Sequence, residues 1–153
     1  MSAEAKLVEL GLQLPPLPKP GGVYKPVVIA GNMVYVSGHV SLRADGTIMT
    51  GRVGTEVDQD YGKKAAEAAG LAILATLRAN LGSLDRIKRV IKTLGMVNCS
   101  ADFTNHPEVI NGCSELWARL WGEEHGIGAR SAVGMGSLPR NATVEVEAIF
   151  ELA

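Results

Sequence analysis

The chain is poor in aromatic side chains, which make up 5% of its residues, and it has only two cysteines, Cys99 and Cys113. Neither cysteine belongs to a C-x-x-C pair, which speaks against a redox dithiol or a zinc knuckle built on that motif. His39, His106 and His125 are scattered and lack the spacing of metal ligands. No apolar run approaches the roughly 20 residues that a membrane span requires. The opening "MSAEAKLVEL" lacks the basic-then-apolar pattern of a secretion signal. A cytoplasmic protein with reduced thiols is therefore expected. The formal net charge is −1, so no overall basic field draws the chain to nucleic acid. No internal repeat or low-complexity segment is present.

What is there is a globular composition. Hydrophobic residues account for 46% of the 153 positions, enough for one domain with a substantial core. Residues 3 to 10 form a candidate short helix ending at Gly11, and "LPPLPKPGG" then breaks regular structure. Two β-rich runs, near 26–30 and 33–38, flank the turn pair Gly31-Asn32. Asp45-Gly46 marks a further turn, with room for a short strand after it. Thr55-x-x-Asp58 resembles a capping box, and a long helix should follow it and stop at Gly82. Its recurring positions are Val57, Tyr61, Ala65, Ala68, Ala72 and Ala75, and so much alanine lets a helix lie close to its neighbour. "RIKRVIKTLGMVNCS" reads as a strand over 88–98. A second helix begins near Pro107, with Val109, Cys113, Leu116, Trp117 and Leu120 as its apolar stripe. "GEEHGIG" reads as a loop leading into two final strands that form a hairpin around Pro139-Arg140.

The order β-β-(β)-α-β-α-β-β predicts an α+β fold, one mixed sheet with two helices on one face. In the last strand Val144, Val146, Ala148, Phe150 and Leu152 share a side that suits the helices. In "NMVYVSG" both sides are apolar: Val34 and Val36 on one, Met33 and Tyr35 on the other. Two helices cover one face, so partial cover of the second by another subunit is expected.

The first strand of the closing pair carries Arg130, Ala132, Gly134 and Gly136 on one side. Small side chains beyond a cation make a trough open to a ligand or to a neighbouring backbone. A guanidinium there suits a carboxylate, which its planar fork binds with two parallel hydrogen bonds. A regular hairpin sets Glu145 opposite Gly134, on the order of 13 Å from Arg130 at strand rise. One group would then hold a small ligand while the other handles a proton or water. Against this, a lone strand arginine is more often a surface or intersubunit ion pair, and Glu147 and Glu151 share the pattern of Glu145. Cys113 belongs to the apolar stripe, and Trp117 and Trp121 read as core or interface.

"GxARSAVGxxxLPxxAxVEVEAI" at 128–149 resembles the C-terminal signature of the YjgF-type proteins, the reactive intermediate deaminase (Rid) family, also called endoribonuclease L-PSP. "GVYKPVVIAGNMVYVSGHV" at 22–40 is similar to that family's N-terminal signature, and "DFTNHPEVINGCSELW" to its segment at the second helix. The likeness runs from about residue 20 to the end. It divides the chain into an N-terminal extension, 1–20, and a single YjgF-like domain, 21–153.

The resemblance implies a chorismate-mutase-like fold, a homotrimer, and a cleft at each subunit boundary. There 2-imino or 2-enamino acids would be hydrolysed to 2-keto acids and ammonia, with no cofactor and no metal. By motif, the carboxylate-binding Arg falls on Arg130 and the water-activating Glu on Glu145. The turn Tyr falls on Tyr24, the strand-end Ser on Ser37 and the helix Asn on Asn111. The partners implied are the chain's own copies and a small carboxylate or imino acid, not a membrane or nucleic acid. The pattern departs at Ala132, where a Cys often stands, at Lys25, and at His39, where Gln is usual. These mark a divergent subgroup. Two other functions stay in view: a trimeric carboxylate-binding regulator without turnover, and an endoribonuclease. The latter has no paired histidines and no aromatic platform in a basic groove to support it.

Overall fold

The computed structural model describes residues 1–153. Its elements are α1 (Ala3–Glu9), β1 (Val27–Ala30), β2 (Met33–Val40), α2 (Gln59–Leu81), β3 (Ile87–Asn98), α3 (His106–Gly126), β4 (Ala129–Met135) and β5 (Val144–Leu152). The five strands form one sheet in the order β1-β2-β5-β3-β4. The β3–β4 pairing is parallel and the others are antiparallel, so the sheet is mixed. With its helices this is an α+β architecture, one mixed sheet with α2 and α3 on one face. No helix is long and apolar enough to cross a membrane.

The alternation along β5 sets the core. Val144, Val146, Ala148 and Phe150 are buried together with Val34 and Val36 of β2. Above them lie α2 and α3. Ala65, Ala66, Ala69 and Ala72 of α2 are fully buried, and with so little side chain between them the helices come into backbone contact. At Gly112 of α3 even a methyl group would collide with the Lys63 carbonyl oxygen of α2. Trp117 fills the space under α3 and meets Phe150 edge-on, their centroids 5.2 Å apart.

The closing strands do not form the expected hairpin. β4 and β5 are separated by β3, to which β4 is parallel and β5 antiparallel. The alternating pattern that marks both as strands is silent about partners. Pro139–Asn141 forms a 3-10 turn with Arg140 and Asn141 at φ of 55° and 56°, and this turn carries the chain across β3 rather than doubling it back. Glu145 therefore pairs with Met96 and Val40, and Gly134 with Val97.

Two local expectations also change. The cap of α2 is Asp58, whose carboxylate accepts from the Tyr61 N–H at 2.8 Å, while Thr55 lies in the preceding turn. The "GEEHGIG" segment is largely helical: α3 breaks at Gly122 (φ 80°) and resumes to Gly126, which packs against the Trp117 carbonyl. Gly82, at φ 85°, ends α2 as expected.

Helix α1 is anchored to the body of the fold. Ala3 and Leu7 belong to the core cluster, and the Glu4 carboxylate accepts from the Leu84 N–H at 2.9 Å while pairing with Arg78 at 2.8 Å. On the face of the sheet away from the helices, Val28 and Tyr35 remain about half exposed. A shallow depression of about 350 Å³ lined by Tyr35, Leu94 and Ile149 lies on that face, and no element of this chain covers it.

Candidate active site

Five side chains carry the expected chemistry, and the fold sorts them into two groups. Arg130, at the start of β4, pairs in register with Thr93, which in turn pairs with Ala148. Thr93 and Ala148 are both buried beneath the helices, so Arg130 points to the helix side. There its Nη1 donates to Asn111 Oδ1 at 2.8 Å and to Ser114 Oγ at 3.2 Å, and Nη2 donates to the Pro107 carbonyl at 3.4 Å. Every one of these acceptors is neutral, so the guanidinium charge has no carboxylate against it. Nε–H and one N–H of Nη2 have no partner within the chain, donors of the kind a carboxylate accepts from. A hollow of about 420 Å³ beside it is lined by Asn111, Ser114, Glu115 and Gly128.

The trough expected along β4 is closed at Ala132 and Gly134 and open at Gly136. A side chain at Gly134 would strike the His106 imidazole and the Cys99 sulfur, and Ala132 packs against the core. The small residues of that strand make room for α3, a tertiary neighbour that the strand's own pattern does not reveal.

The second group lies on the opposite face. Glu145 sits where β5 meets β2, in a cleft of about 860 Å³ that it shares with Tyr24, Ser37, Gly38, Arg140 and Glu147. Its carboxylate rests on Gly38, whose missing side chain leaves the space it occupies. No hydrogen bond or cation stabilises it. Burial, and secondarily the like charge of Glu147, push its pKa above the ordinary carboxylate value.

Ser37 holds the cleft's other wall. Its hydroxyl donates to the Lys25 carbonyl at 2.6 Å, and its N–H donates to the Pro26 carbonyl at 3.0 Å. Tyr24, half exposed, accepts from the Gly21 N–H at 3.1 Å through its hydroxyl oxygen. The Lys25 side chain makes no hydrogen bond or ion pair, and the residue takes part through its carbonyl. His39 borders the same cleft, but its buried ring reaches toward α2, with Nδ1 2.6 Å from the Ser37 carbonyl and Nε2 2.7 Å from Thr76 Oγ1. Burial lowers its pKa, outweighing the hydrogen bond to Ser37.

The structure thus brings Arg130 and Asn111 together, and Tyr24, Ser37 and Glu145 together, but not the two groups. Within one chain they stand two strands and three residues apart, about 14 Å between Cα atoms at ordinary sheet spacings, on opposite faces. Ser114 was not singled out in the sequence, yet it stands three positions after Asn111, on the same helical face. The wall provided by Pro18–Gly22 and Arg140 had no such signal, because it comes from loops whose course only packing fixes.

A mixed sheet backed by paired helices, with an arginine free of any carboxylate partner on one face and an unpaired cleft glutamate on the other, defines a small α+β protein. The family model "YjgF/chorismate_mutase-like, putative endoribonuclease" matches residues 4–152, and the chain belongs to that family. The match begins inside α1, well before residue 21. Protein TCP17 of Trypanosoma cruzi is 41% identical over 148 residues, which cover 97% of this chain and 92% of that protein. A 2-iminobutanoate/2-iminopropanoate deaminase of Dermatophagoides farinae is 26% identical over 141 residues, covering 90% and 92%. Among solved structures, a protein of unknown function from Agrobacterium tumefaciens is 43% identical with a TM-score of 0.88, covering 99% of this chain and 94% of that one. A "putative endoribonuclease" from Shewanella oneidensis is 29% identical with a TM-score of 0.94, covering 99% and 100%.

Proposed function

We propose that this protein hydrolyses 2-imino and 2-enamino acids to 2-keto acids and ammonia, without a cofactor, in clefts formed between copies of the chain in a homotrimer. The observation that carries this reading is the open fork of Arg130. Its Nη1 is fixed by neutral acceptors while the Nε/Nη2 edge is left for an external carboxylate. The likeness to an imine deaminase supports the choice of reaction. Because Glu145 faces the other side of the sheet, the Arg130 that serves it comes from a neighbouring copy. The uncovered apolar face around Tyr35 and Ile149 offers a surface for that neighbour.

The chemistry follows from the two charges. Arg130 grips the carboxylate and sets C2 of the iminium within reach of the Glu145 carboxylate. Ionised Glu145 takes a proton from a water as the water oxygen bonds to C2 and the C=N π pair moves to nitrogen. The carboxyl then returns that proton to the amine. The C–N bond breaks as the Glu145 carboxylate takes the carbinol hydroxyl proton; the keto acid leaves, and the released ammonia takes that proton from Glu145 and departs as ammonium. An enamine is first protonated at C3 to the same iminium. The raised pKa of Glu145 makes its ionised form a stronger base than an ordinary carboxylate.

The test is to generate 2-aminoacrylate in place with a serine dehydratase and follow keto-acid release. Acceleration by the wild type, lost in both Arg130→Ala and Glu145→Gln, is expected. The two inactive variants, unfolded and refolded together in equal amounts, should recover about a quarter of wild-type activity, since a shared cleft then sometimes receives both intact groups. Binding of pyruvate without acceleration would replace the enzyme by a carboxylate-binding regulator. Activity in Arg130→Ala would remove the proposal altogether.

A further inference from the structure

The pairing of β2 with β5 slips between Val36 and His39, so Ser37 and Gly38 stand outside the regular ladder. A slipped segment loses ladder hydrogen bonds and needs other restraints. Here the restraint is the imidazole that follows it. A backbone carbonyl can only accept, so the 2.6 Å contact to Ser37 O requires the proton on His39 Nδ1. In the neutral ring Nε2 is then the acceptor, and the Thr76 hydroxyl of α2 donates to it at 2.7 Å. Both ring nitrogens are committed, and the residue is 7% exposed.

We infer that His39 is a positioning residue for the Glu145 cleft, a neutral Nδ1–H imidazole that rivets the β2 bulge to α2. Three cleft features hang on the piece it holds. Gly38 is the surface on which the Glu145 carboxylate lies. The Ser37 hydroxyl and N–H hold the Lys25 and Pro26 carbonyls, and with them the turn that presents Tyr24. His39 itself faces the helix layer and touches no ligand. It acts through Ser37 and Gly38. Its relevance to turnover rests on the imine-hydrolase reading, but its effect on the cleft does not, and the two can be tested apart.

Three variants separate the bonds from the bulk. His39→Leu fills the space and leaves the Ser37 carbonyl and the Thr76 hydroxyl without the ring. His39→Gln has a donor and an acceptor at one end of its side chain and can remake both bonds. Thr76→Val removes only the outer partner, which guards against a His39→Leu variant that fails to fold. The readouts free of activity are the ¹⁵N shifts of the His39 ring and the ¹³C titration of the Glu145 carboxyl. Expected are an Nδ1–H tautomer that stays neutral at pH values where an ordinary histidine protonates, and a Glu145 titration that moves toward the ordinary carboxylate value in His39→Leu. His39→Gln should restore it, and Thr76→Val should shift it less. If the protein turns over imines, His39→Leu should lower kcat on the order of tenfold to a hundredfold with KM little changed, as misplaced catalytic groups do. A protonated or Nε2–H ring, or an unmoved Glu145 titration in both His39→Leu and Thr76→Val, would overturn the inference. An inactive wild type with the expected titrations would remove the proposed reaction and leave the rivet standing.

Discussion

The surroundings of Arg130 and those of Glu145 are built on opposite plans. Arg130 is braced by an amide oxygen, a hydroxyl and a carbonyl supplied by one helix, so its direction is fixed before any ligand arrives. Glu145 has no partner at all and rests against a bare stretch of backbone at Gly38. A cation held by neutral groups keeps its full attraction for an incoming anion. A carboxylate without donors keeps its basicity. Preorganisation and reactivity are thus divided between the two faces of one sheet. The braced side depends on helix packing and the bare side on strand irregularity.

The sharpest way to break this contrast is to disturb the helix that does the bracing. Gly112→Ala would force α3 away from the Lys63 carbonyl, at about 1–3 kcal/mol for an overpacked contact, which is roughly 3–10 °C in Tm for a chain of this size. Asn111 and Ser114 would shift with it. Carboxylate affinity should fall along with the melting temperature, while the Glu145 titration stays put. A variant with unaltered Tm would show that the helices have slack that their contact does not suggest.

Asn111→Asp removes the contrast chemically. It sets a carboxylate 2.8 Å from the Arg130 guanidinium, an internal competitor for the anion site. KM for a 2-imino acid, or Kd for pyruvate, should rise on the order of tenfold, as expected for about 1.4 kcal/mol of competition. Unchanged affinity would mean that Arg130 does not meet the ligand.

The smallest effect is on stability through Glu145. Its folded pKa lies above the unfolded one, so its contribution to stability is fully present below the unfolded carboxylate value and is lost as pH rises through the folded pKa. Glu145→Gln should therefore melt slightly higher than wild type at neutral pH and no higher at pH 3. Equal melting at both pH values would place the carboxylate in better-hydrated surroundings than those formed by Gly38 and Glu147.

The positions that periodicity, caps and motifs could identify were those governed by neighbours in sequence. The apolar side of β5, the stop at Gly82 and the stripe from Val109 to Leu120 were legible because each follows from spacing along one element; Arg130 and Glu145 could be nominated from their strands, whereas Tyr24, Ser37 and Asn111 rested on the family resemblance. The partners of β4 were not, since a strand's alternation is the same beside β5 as beside β3. The packing of α3 against Gly134 and the loop wall of the cleft were hidden for the same reason, whereas the two apolar sides of β2 had pointed to an uncovered face.

What the sequence determined by itself was which side chains could do chemistry: a guanidinium, a carboxylate, and the amide and hydroxyls around them. What only the tertiary structure decided was that these stand on two faces, with β3 between their strands and α3 over one of them. Side-chain identity is fixed by the code and direction by local periodicity. The distance between two strands depends on what is inserted between them, and that is settled by burial of the whole sheet against its helices.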